Sequence, residues 1–322
     1  MKTIRMLTAF ALLVMPLAVP AQDAYPSRPI RLVVPYAPGG VSDITGRIVA
    51  QKMTELLGQS VVVENRAGAG GMLGTGTVAK AEPDGYTIVL SSLSAYAIGP
   101  RLVKAPLYDP IKDFTAIASV ALAPTILTIN TALPVQNLKD LIAYAKANPG
   151  KLTYGSSGIG SVAHISAEML RATTGIDLVH VPYKSAAQAY PDMIAGSVSM
   201  VFDALPSAIQ HIRSGKVRPI AMMSDRRASL VPDVPTFAEA GYPEATLRLW
   251  VGLHGPANLP APIVQKLNDT AARTVAAPEV RERFTAVGAD AYSTSPREFA
   301  ELVRGDVERL GKMMAAAGIK GE

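Results

Sequence analysis

The sequence feature that most constrains the fold is one arrangement that occurs twice: a strand, a glycine-rich turn and a helix. In the first copy, residues 30–35 form an apolar run typical of a buried strand, residues 37–40 read Ala-Pro-Gly-Gly, and residues 42–57 carry apolar side chains at helical spacing. In the second copy, the strand is predicted at 152–155, the loop at 156–161 and the helix at 162–174. Alternating strands and helices predict an α/β fold with largely parallel sheets.

Chain length and the order of the other elements predict two domains. About 300 residues follow the N-terminal segment, and this exceeds the size at which a single hydrophobic core usually keeps growing. Further strands are predicted at 60–64, 86–90, 117–129, 177–181, 198–202, 218–223 and 246–253, and further helices at 186–195, 207–214, 262–275, 278–287 and 296–317. We expect residues 22–122 and 247–322 to form one domain and residues 123–246 the other, with 117–129 and 246–253 as crossing strands.

The N-terminal residues 1–21 are predicted to be a signal peptide. Lys2 and Arg5 precede an apolar run over 6–17, and the small residues at 19–21 favour cleavage after Ala21. The run is shorter than the roughly 20 apolar residues that span a bilayer, although an N-terminal membrane anchor is the alternative. The chain has no cysteine, so it can carry neither a lipid at the cleavage point nor a disulfide. We expect a mature protein that is free in solution and neither spans a membrane nor is anchored to one.

Composition and charge argue against disorder and against nucleic-acid binding. The chain is 49% hydrophobic and 18% charged, which is typical of a globular protein. Its formal charge of +5 becomes +3 without Lys2 and Arg5, and no run of five basic residues occurs. We expect a monomer whose mild positive charge helps to attract anions.

The two glycine-rich turns are the candidate binding sites. The first four backbone N–H groups of a helix lack partners within the helix, and the helix dipole places partial positive charge at that end. Glycine lets an anion approach these amides closely. Gly39, Gly40 and Ser42 present such a surface in the first copy, with Ser42 or Asp43 as a possible N-cap, and residues 156–161 present one in the second. If the two turns face each other across a cleft, they suit a mono- or dicarboxylate.

Four side chains near these turns each allow two interpretations. Asp43 can accept a hydrogen bond from a ligand ammonium or hydroxyl, or it can cap its helix. Asp203 lies at the cleft edge or in a plain turn, and His164 donates to a ligand carboxylate or lies on the surface. Trp250 belongs to the core or to the cleft wall, and we favour the core.

Motifs of catalysis and of cofactor binding are missing. The glycines between 68 and 76 do not form G-x-G-x-x-G, because Leu73 occupies the last position, and they are predicted to allow close helix packing instead. Ile159 breaks G-x-S-x-G, and the four histidines lack the H-x-x-x-H spacing of a zinc site. We therefore predict no enzyme activity, no cofactor and no metal. A periplasmic hydrolase with a triad assembled from distant residues is the alternative.

Several short motifs carry a family resemblance over nearly all of the predicted mature chain. They are YPSRPIR from Tyr25, PYAPGG from Pro35 with Asp43, VVVENR from Val61 with GAGG from Gly68, PDGY from Pro83, YGSSGIGS from Tyr154 with His164, HVPYK from His180, and VPT from Val234 with EAG from Glu239. This set resembles the Bug family, the solute-binding receptors of tripartite tricarboxylate transporters. Ser185 and Met193 depart from the usual glycine and leucine of that family, and neither departure removes a predicted contact.

The resemblance implies a periplasmic binding protein type II fold, in which two α/β domains joined by crossing strands enclose a ligand cleft. It implies a small organic carboxylate as ligand, held by amides and hydroxyls from the loops at 36–43 and 156–161, and the membrane subunits of a transporter as partners. A sensor kinase is the alternative partner, and the identity of the carboxylate stays open. The predicted ligand contacts are Tyr36, Ala37, Gly39, Gly40, Ser42, Asp43, Ser92, Ser156, Ser157, Gly158, Gly160, Ser161, His164 and Asp203.

Overall fold

The first of two sheets is mixed and contains the N-terminal strands. The computed structural model describes residues 25–224, 226–316 and 318–319, so the predicted signal peptide and its cleavage point lie outside the described residues. Parallel strands β1 (Ile30–Val34), β2 (Val61–Asn65) and β3 (Thr87–Ser92) are followed by antiparallel β9 (Arg248–Pro256) and β4 (Phe114–Asn130). The order across the sheet is β2-β1-β3-β9-β4.

The second sheet is built on the far end of β4. Residues 114–124 of β4 pair with β9, whereas residues 125–130 pair with β7 (Met200–Ala204) and β8 (Val217–Met222). Strand β5 (Leu152–Ser156) runs parallel to both β7 and β6 (Leu178–Pro182). The short strand β10 (Asp290–Ala291) also pairs with β4. A single strand of 17 residues therefore belongs to both sheets.

Helices connect successive parallel strands, as the alternating pattern predicts, and further helices follow β4, β9 and β10. They are α1 (Val41–Leu57), α2 (Met72–Ala79), α3 (Leu138–Ala147), α4 (Val162–Thr174), α5 (Ala189–Ala195), α6 (Leu205–Arg213), α7 (Ala261–Ala276), α8 (Pro278–Val287) and α9 (Pro296–Ala316). Gly58 and Gly175, with φ of 68° and 70°, end α1 and α4 in the left-handed conformation that glycine adopts at low cost. Within the described ranges, no helix has the length and apolar content needed to cross a membrane.

The C-terminal helices pack against the first sheet. Both α7 and α9 contact β4, and α1 contacts α7. Trp250 of β9 is fully buried, packs edge-on against Phe299 of α9, and donates its indole N–H to Asp306 at 2.9 Å. The core interpretation of Trp250 is therefore confirmed.

Most predicted elements agree with the structure to within one to three residues, and helices 162–174 and 278–287 agree at both ends. Helix α3 was not predicted, although Asn137 caps it by accepting a hydrogen bond from the amide of Asp140 at 2.9 Å. The prediction for the glycines between 68 and 76 is confirmed at Gly74, because a Cβ there would lie 2.5 Å from the carbonyl oxygen of Arg66 and 2.9 Å from Pro35 Cα.

Candidate functional site

A cavity of about 240 Å³ lies at the carboxyl ends of two parallel strands of the first sheet and three parallel strands of the second. Tyr36 follows β1, Ser92 ends β3, Ser157 follows β5, Lys184 follows β6, and Asp203 lies near the end of β7. The carboxyl ends of parallel strands are the usual place for a ligand in α/β proteins. The cavity is lined by Tyr36, Ala37, Pro38, Gly39, Gly40, Ser42, Ser92, Ser94, Ser157, Val162, Ala163, Lys184, Ser185, Ala186, Ala187, Phe202, Asp203, Ala204, Ser207 and Leu249.

The N-termini of three helices converge on this cavity. Gly40 and Ser42 belong to the start of α1, and Val162 and Ala163 form the first turn of α4. Ala204 and Ser207 belong to the start of α6, which, like α4, follows a strand of the second sheet. Each helix start offers amide donors without partners within the helix and the positive end of a dipole. Together they form a surface that suits a negatively charged group.

The first glycine-rich turn is held in shape by Asp43. The Asp43 carboxylate accepts hydrogen bonds from the amide of Gly39 at 3.0 Å, from Arg47 Nε at 3.1 Å and from Asn65 Nδ2 at 2.9 Å. Burial opposes ionisation of this carboxyl, but the three donors outweigh that effect and lower its pKa. Asp43 is not among the residues that line the cavity, so its carboxylate positions the turn from behind.

The start of α1 differs from its prediction. The helix begins at Val41, one residue earlier than expected, with Gly40 as its N-cap and no side chain capping it. Ser42 therefore lies inside the first turn, which corrects the prediction of Ser42 or Asp43 as the cap. Beside this turn, the hydroxyls of Tyr36 and Ser92 are 2.7 Å apart, and the Tyr36 hydroxyl donates to the carbonyl oxygen of Gly70 at 3.3 Å.

The second loop reaches the cavity through Ser157 alone. The Ser156 hydroxyl turns inward, where it accepts from the amide of Gly158 at 3.0 Å and lies 2.6 Å from His180 Nε2. Ser161 caps α4 by accepting from the amide of His164 at 3.2 Å. These two hydroxyls are engaged in holding the loop, so their contact with a ligand stays a prediction.

Two stacked imidazoles support this loop on the side away from the cavity. His164 accepts from the amide of Gly160 at 3.2 Å, and its ring centroid lies 4.7 Å from that of His180. Burial lowers the pKa of both residues, and for His180 burial together with His164 lowers it to about 4. Gly158, Gly160 and His164 line a second hollow here, so their contact with a ligand stays a prediction.

Asp203 has one oxygen bound to the backbone, and its carboxyl lies near the Tyr190 hydroxyl. Its Oδ1 accepts from the amide of Ala204 at 2.8 Å, whereas its Oδ2 is buried without a hydrogen-bond partner among the described residues. Burial raises the pKa of this carboxyl to about 7, against the opposing effects of the Ala204 amide and the Tyr190 hydroxyl. Asp203 lines the cavity, as one of its two interpretations predicted.

Several lining residues escaped sequence reasoning. Lys184, Ser185 and Ala187 belong to the connection after β6, and Ser207 belongs to the first turn of α6. Neither glycine-rich loop contains a basic side chain, as the sequence indicates, but the connection after β6 brings Lys184 to the cavity. The available signal was their position, because Lys184 and Ser185 follow the carboxyl end of β6 and Ser207 follows that of β7. Among the residues that the structure describes, no three His, Cys, Asp or Glu side chains are grouped as metal ligands.

Comparison with known proteins gives a consistent result. Residues 45–319 match the model of the tripartite tricarboxylate transporter family receptor. The chain is 36% identical over 299 residues to the protein BugT of Bordetella pertussis, covering 92% of each. An R. palustris protein solved with adipate has a TM-score of 0.88 and 33% identity, with 92% of this chain and 100% of that chain covered. The protein MatC from Rhodopseudomonas palustris with bound malate has a TM-score of 0.82 and 33% identity, with 88% and 98% covered.

Proposed function

Because the chain belongs to the tripartite tricarboxylate transporter receptor family, we propose that its cavity binds a small organic carboxylate and delivers it to the membrane subunits of such a transporter. The family is one of periplasmic solute-binding receptors, and its members solved with adipate and with malate support a carboxylate as the ligand here. Sequence, fold and family thus agree on a receptor of the periplasmic binding-protein type.

The observation that carries this proposal is the convergence of three helix N-termini on one cavity. Residues at the starts of α1, α4 and α6 line a space of about 240 Å³. Amides at helix N-termini bind carboxylates without a formal counter-charge. Serine hydroxyls and Lys184 add further donors. Because the volume is below the range typical of sites for drug-sized molecules, a small acid is favoured.

We propose that the cavity binds its ligand without changing it. The described lining residues include serines but no histidine, and a serine nucleophile needs a neighbouring base. The histidines near Ser156 lie on the other side of the second loop and are engaged by Ser156 and Gly160. These features support a receptor over the hydrolase alternative.

We also propose how the chain is divided and where it acts. Strand β4 passes from one sheet to the other between Pro124 and Thr125, which supports domains at 22–122 with 247–322 and at 123–246. Removal of residues 1–21 would release a monomer into the periplasm. N-terminal sequencing of the exported protein and light scattering test these two points: an N-terminus at Gln22 and a single-chain mass are expected.

Thermal shift and calorimetry against a panel of mono-, di- and tricarboxylates test the binding proposal. An acid at a hundredfold excess over its dissociation constant adds about 2.7 kcal/mol of stability. If no acid raises the unfolding temperature, the proposal is wrong. Pull-down with and without the bound acid then identifies the partner, and capture of a sensor kinase instead of transporter subunits would contradict the transport role.

Lys184→Gln provides a variant for the same test. Lys184 is exposed at the cavity, where a single charge contributes roughly 0.4–1 kcal/mol, so we expect affinity to fall by about two- to fivefold. Lys266→Gln is the matched control, because Lys266 is exposed on α7 and does not line the cavity. Equal affinities for the two variants would exclude a role for Lys184 in binding.

A further inference from the structure

Leu249 lies between the proposed ligand cavity and a neighbouring space, the outer hollow. The outer hollow has a volume of about 380 Å³ and lies over the crossing strands; the described residues that line it include Pro124, Arg226, Arg227, Leu247, Leu249 and Asp290. Of the described residues that line the ligand cavity, Leu249 alone also lines the outer hollow. Because Leu249 is only 6% exposed, its side chain fills the space between the two.

The strands around Leu249 hold it in this position. Leu249 of β9 pairs with Ala123 of β4, and the next residue, Trp250, is fixed in the core by its hydrogen bond to Asp306 at 2.9 Å. Ala123 also lines the outer hollow, but its side chain is a single methyl group and cannot close a passage. The separation of the two spaces therefore depends on the Leu249 side chain beyond its Cβ.

The outer hollow offers both room and positive charge to a longer acid. Arg226 forms an ion pair with Asp290 at 2.9 Å, and Arg227 forms one with Glu239 at 2.9 Å. Both arginine side chains are partly exposed, and a guanidinium group has more N–H donors than one carboxylate accepts from. The far carboxylate of a long dicarboxylate would therefore find donors in the outer hollow that a short one cannot reach.

We propose that Leu249 sets the length of the acid that the cavity accepts, because its side chain closes the passage to the outer hollow. This inference rests on the proposed function and names a specificity-determining residue of the same site. Replacement of leucine by alanine removes about three methylene-sized groups, so the bound chain can extend by roughly two methylene groups. Each buried methylene group raises affinity by roughly fourfold. We therefore expect Leu249→Ala to favour a long acid over a short one by at least about tenfold more than wild type does.

Calorimetry with straight-chain dicarboxylates tests the inference. Wild type, Leu249→Ala and Leu247→Ala are each titrated with succinate, adipate, suberate and sebacate. We expect wild type to bind sebacate more weakly than succinate, and the ratio of sebacate to succinate affinity to rise by about tenfold or more in Leu249→Ala. Leu247 is the matched control position, because it is buried and lines the outer hollow but not the ligand cavity. Leu247→Ala enlarges the outer hollow without opening the passage, so it should keep the wild-type ratio.

The affinity ratio separates a length gate from a general loss of stability, because destabilisation lowers the affinity for every acid by the same factor. If the Ala variant fails to fold, Leu249→Val is the second variant, with an expected change of about two- to fourfold. An unchanged ratio in a folded Leu249 variant, or an equal change in Leu247→Ala, would overturn the inference. So would a wild type that binds sebacate as tightly as succinate, or one that binds none of these dicarboxylates. The proposed function itself is wrong only if wild type also binds no acid of the wider panel.

Discussion

Replacement of Asp43 by Asn should weaken both the fold and ligand binding, although the side chain keeps its size. The buried carboxylate accepts from three donors, the Gly39 amide, Arg47 Nε and Asn65 Nδ2. An Asn side chain has only one oxygen, so its NH₂ group must face one of these donors. Asn65 cannot simply turn over, because its Nδ2 also donates to the carbonyl oxygen of Tyr36 and its Oδ1 accepts from Arg47.

The magnitude follows from the burial of each partner. Arg47 is half exposed, so loss of its ion pair costs only about 0.5 kcal/mol. The Gly39 and Asn65 bonds lose the charge on their acceptor, and one buried donor loses its partner, at a cost of about 1–2 kcal/mol in total. We expect the free energy of unfolding to fall by about 2 kcal/mol. Loss of the preorganised turn should weaken ligand binding by about three- to tenfold.

Urea unfolding across pH is the assay that isolates this carboxylate. Its pKa is lowered in the folded state, so its contribution is fully present above the unfolded pKa of about 3.9 and is lost as pH falls through the folded pKa. The difference between wild type and Asp43→Asn should therefore be constant from pH 8 to about pH 5 and shrink below pH 4. Asp269→Asn, exposed on α7, is the control with little effect. Equal stabilities at pH 7, or a difference that does not change with pH, would refute the reasoning.

Four further variants test other parts of the structure. Gly74→Ala should lower the free energy of unfolding by about 1–2 kcal/mol in urea titrations, because its Cβ would meet the Arg66 carbonyl. Gly305→Ala should raise the free energy of unfolding by about 0.5–1 kcal/mol, because Gly305 lies in α9 with open space around the added Cβ. Ser161→Ala removes the cap of α4 and should cost about 1 kcal/mol with weaker ligand binding; a full wild-type affinity would contradict the role of α4. Burial lowers the pKa of His254 to about 3, so this residue is neutral in the folded protein. The free energy of unfolding of wild type should therefore fall by up to about 1.4 kcal/mol per pH unit below pH 6, as His254 takes up a proton only on unfolding. His254→Gln should lose this contribution to the pH dependence.

The fold was largely readable from the sequence because its signals are local. Apolar runs mark the buried strands, and the left-handed glycines Gly58 and Gly175 mark helix ends. Pro124 interrupts the apolar run of β4 without breaking the strand, because it lies where pairing with β9 ends and pairing with β7 begins. That tolerance depends on the second sheet and is not visible in the sequence. Helix α3 was missed although its cap and its apolar spacing were both present.

The location of the candidate site could be predicted from the sequence, but the side chains that line it could not. The carboxyl ends of parallel strands locate the cavity, and both predicted turns border it. Which way a serine hydroxyl points depends on partners far along the chain, as Ser156 shows with His180. The start of α6 and the connection after β6 became relevant only once the sheet order placed them beside the two predicted turns.

Because three helix starts border the cavity, substitutions in this receptor can change the side chains around a ligand while the main-chain amides stay in place. The amides that would hold an anionic group belong to the main chain, and most substitutions leave them in place. Side chains of the lining, among them Lys184 and Leu249, can alter which acid fits. Leu249 and Trp250 are consecutive residues of one strand, with the first lining the cavity and the second in the core. Leu249 can therefore diversify while Trp250 maintains the packing, so related receptors could adopt new nutrients through few mutations.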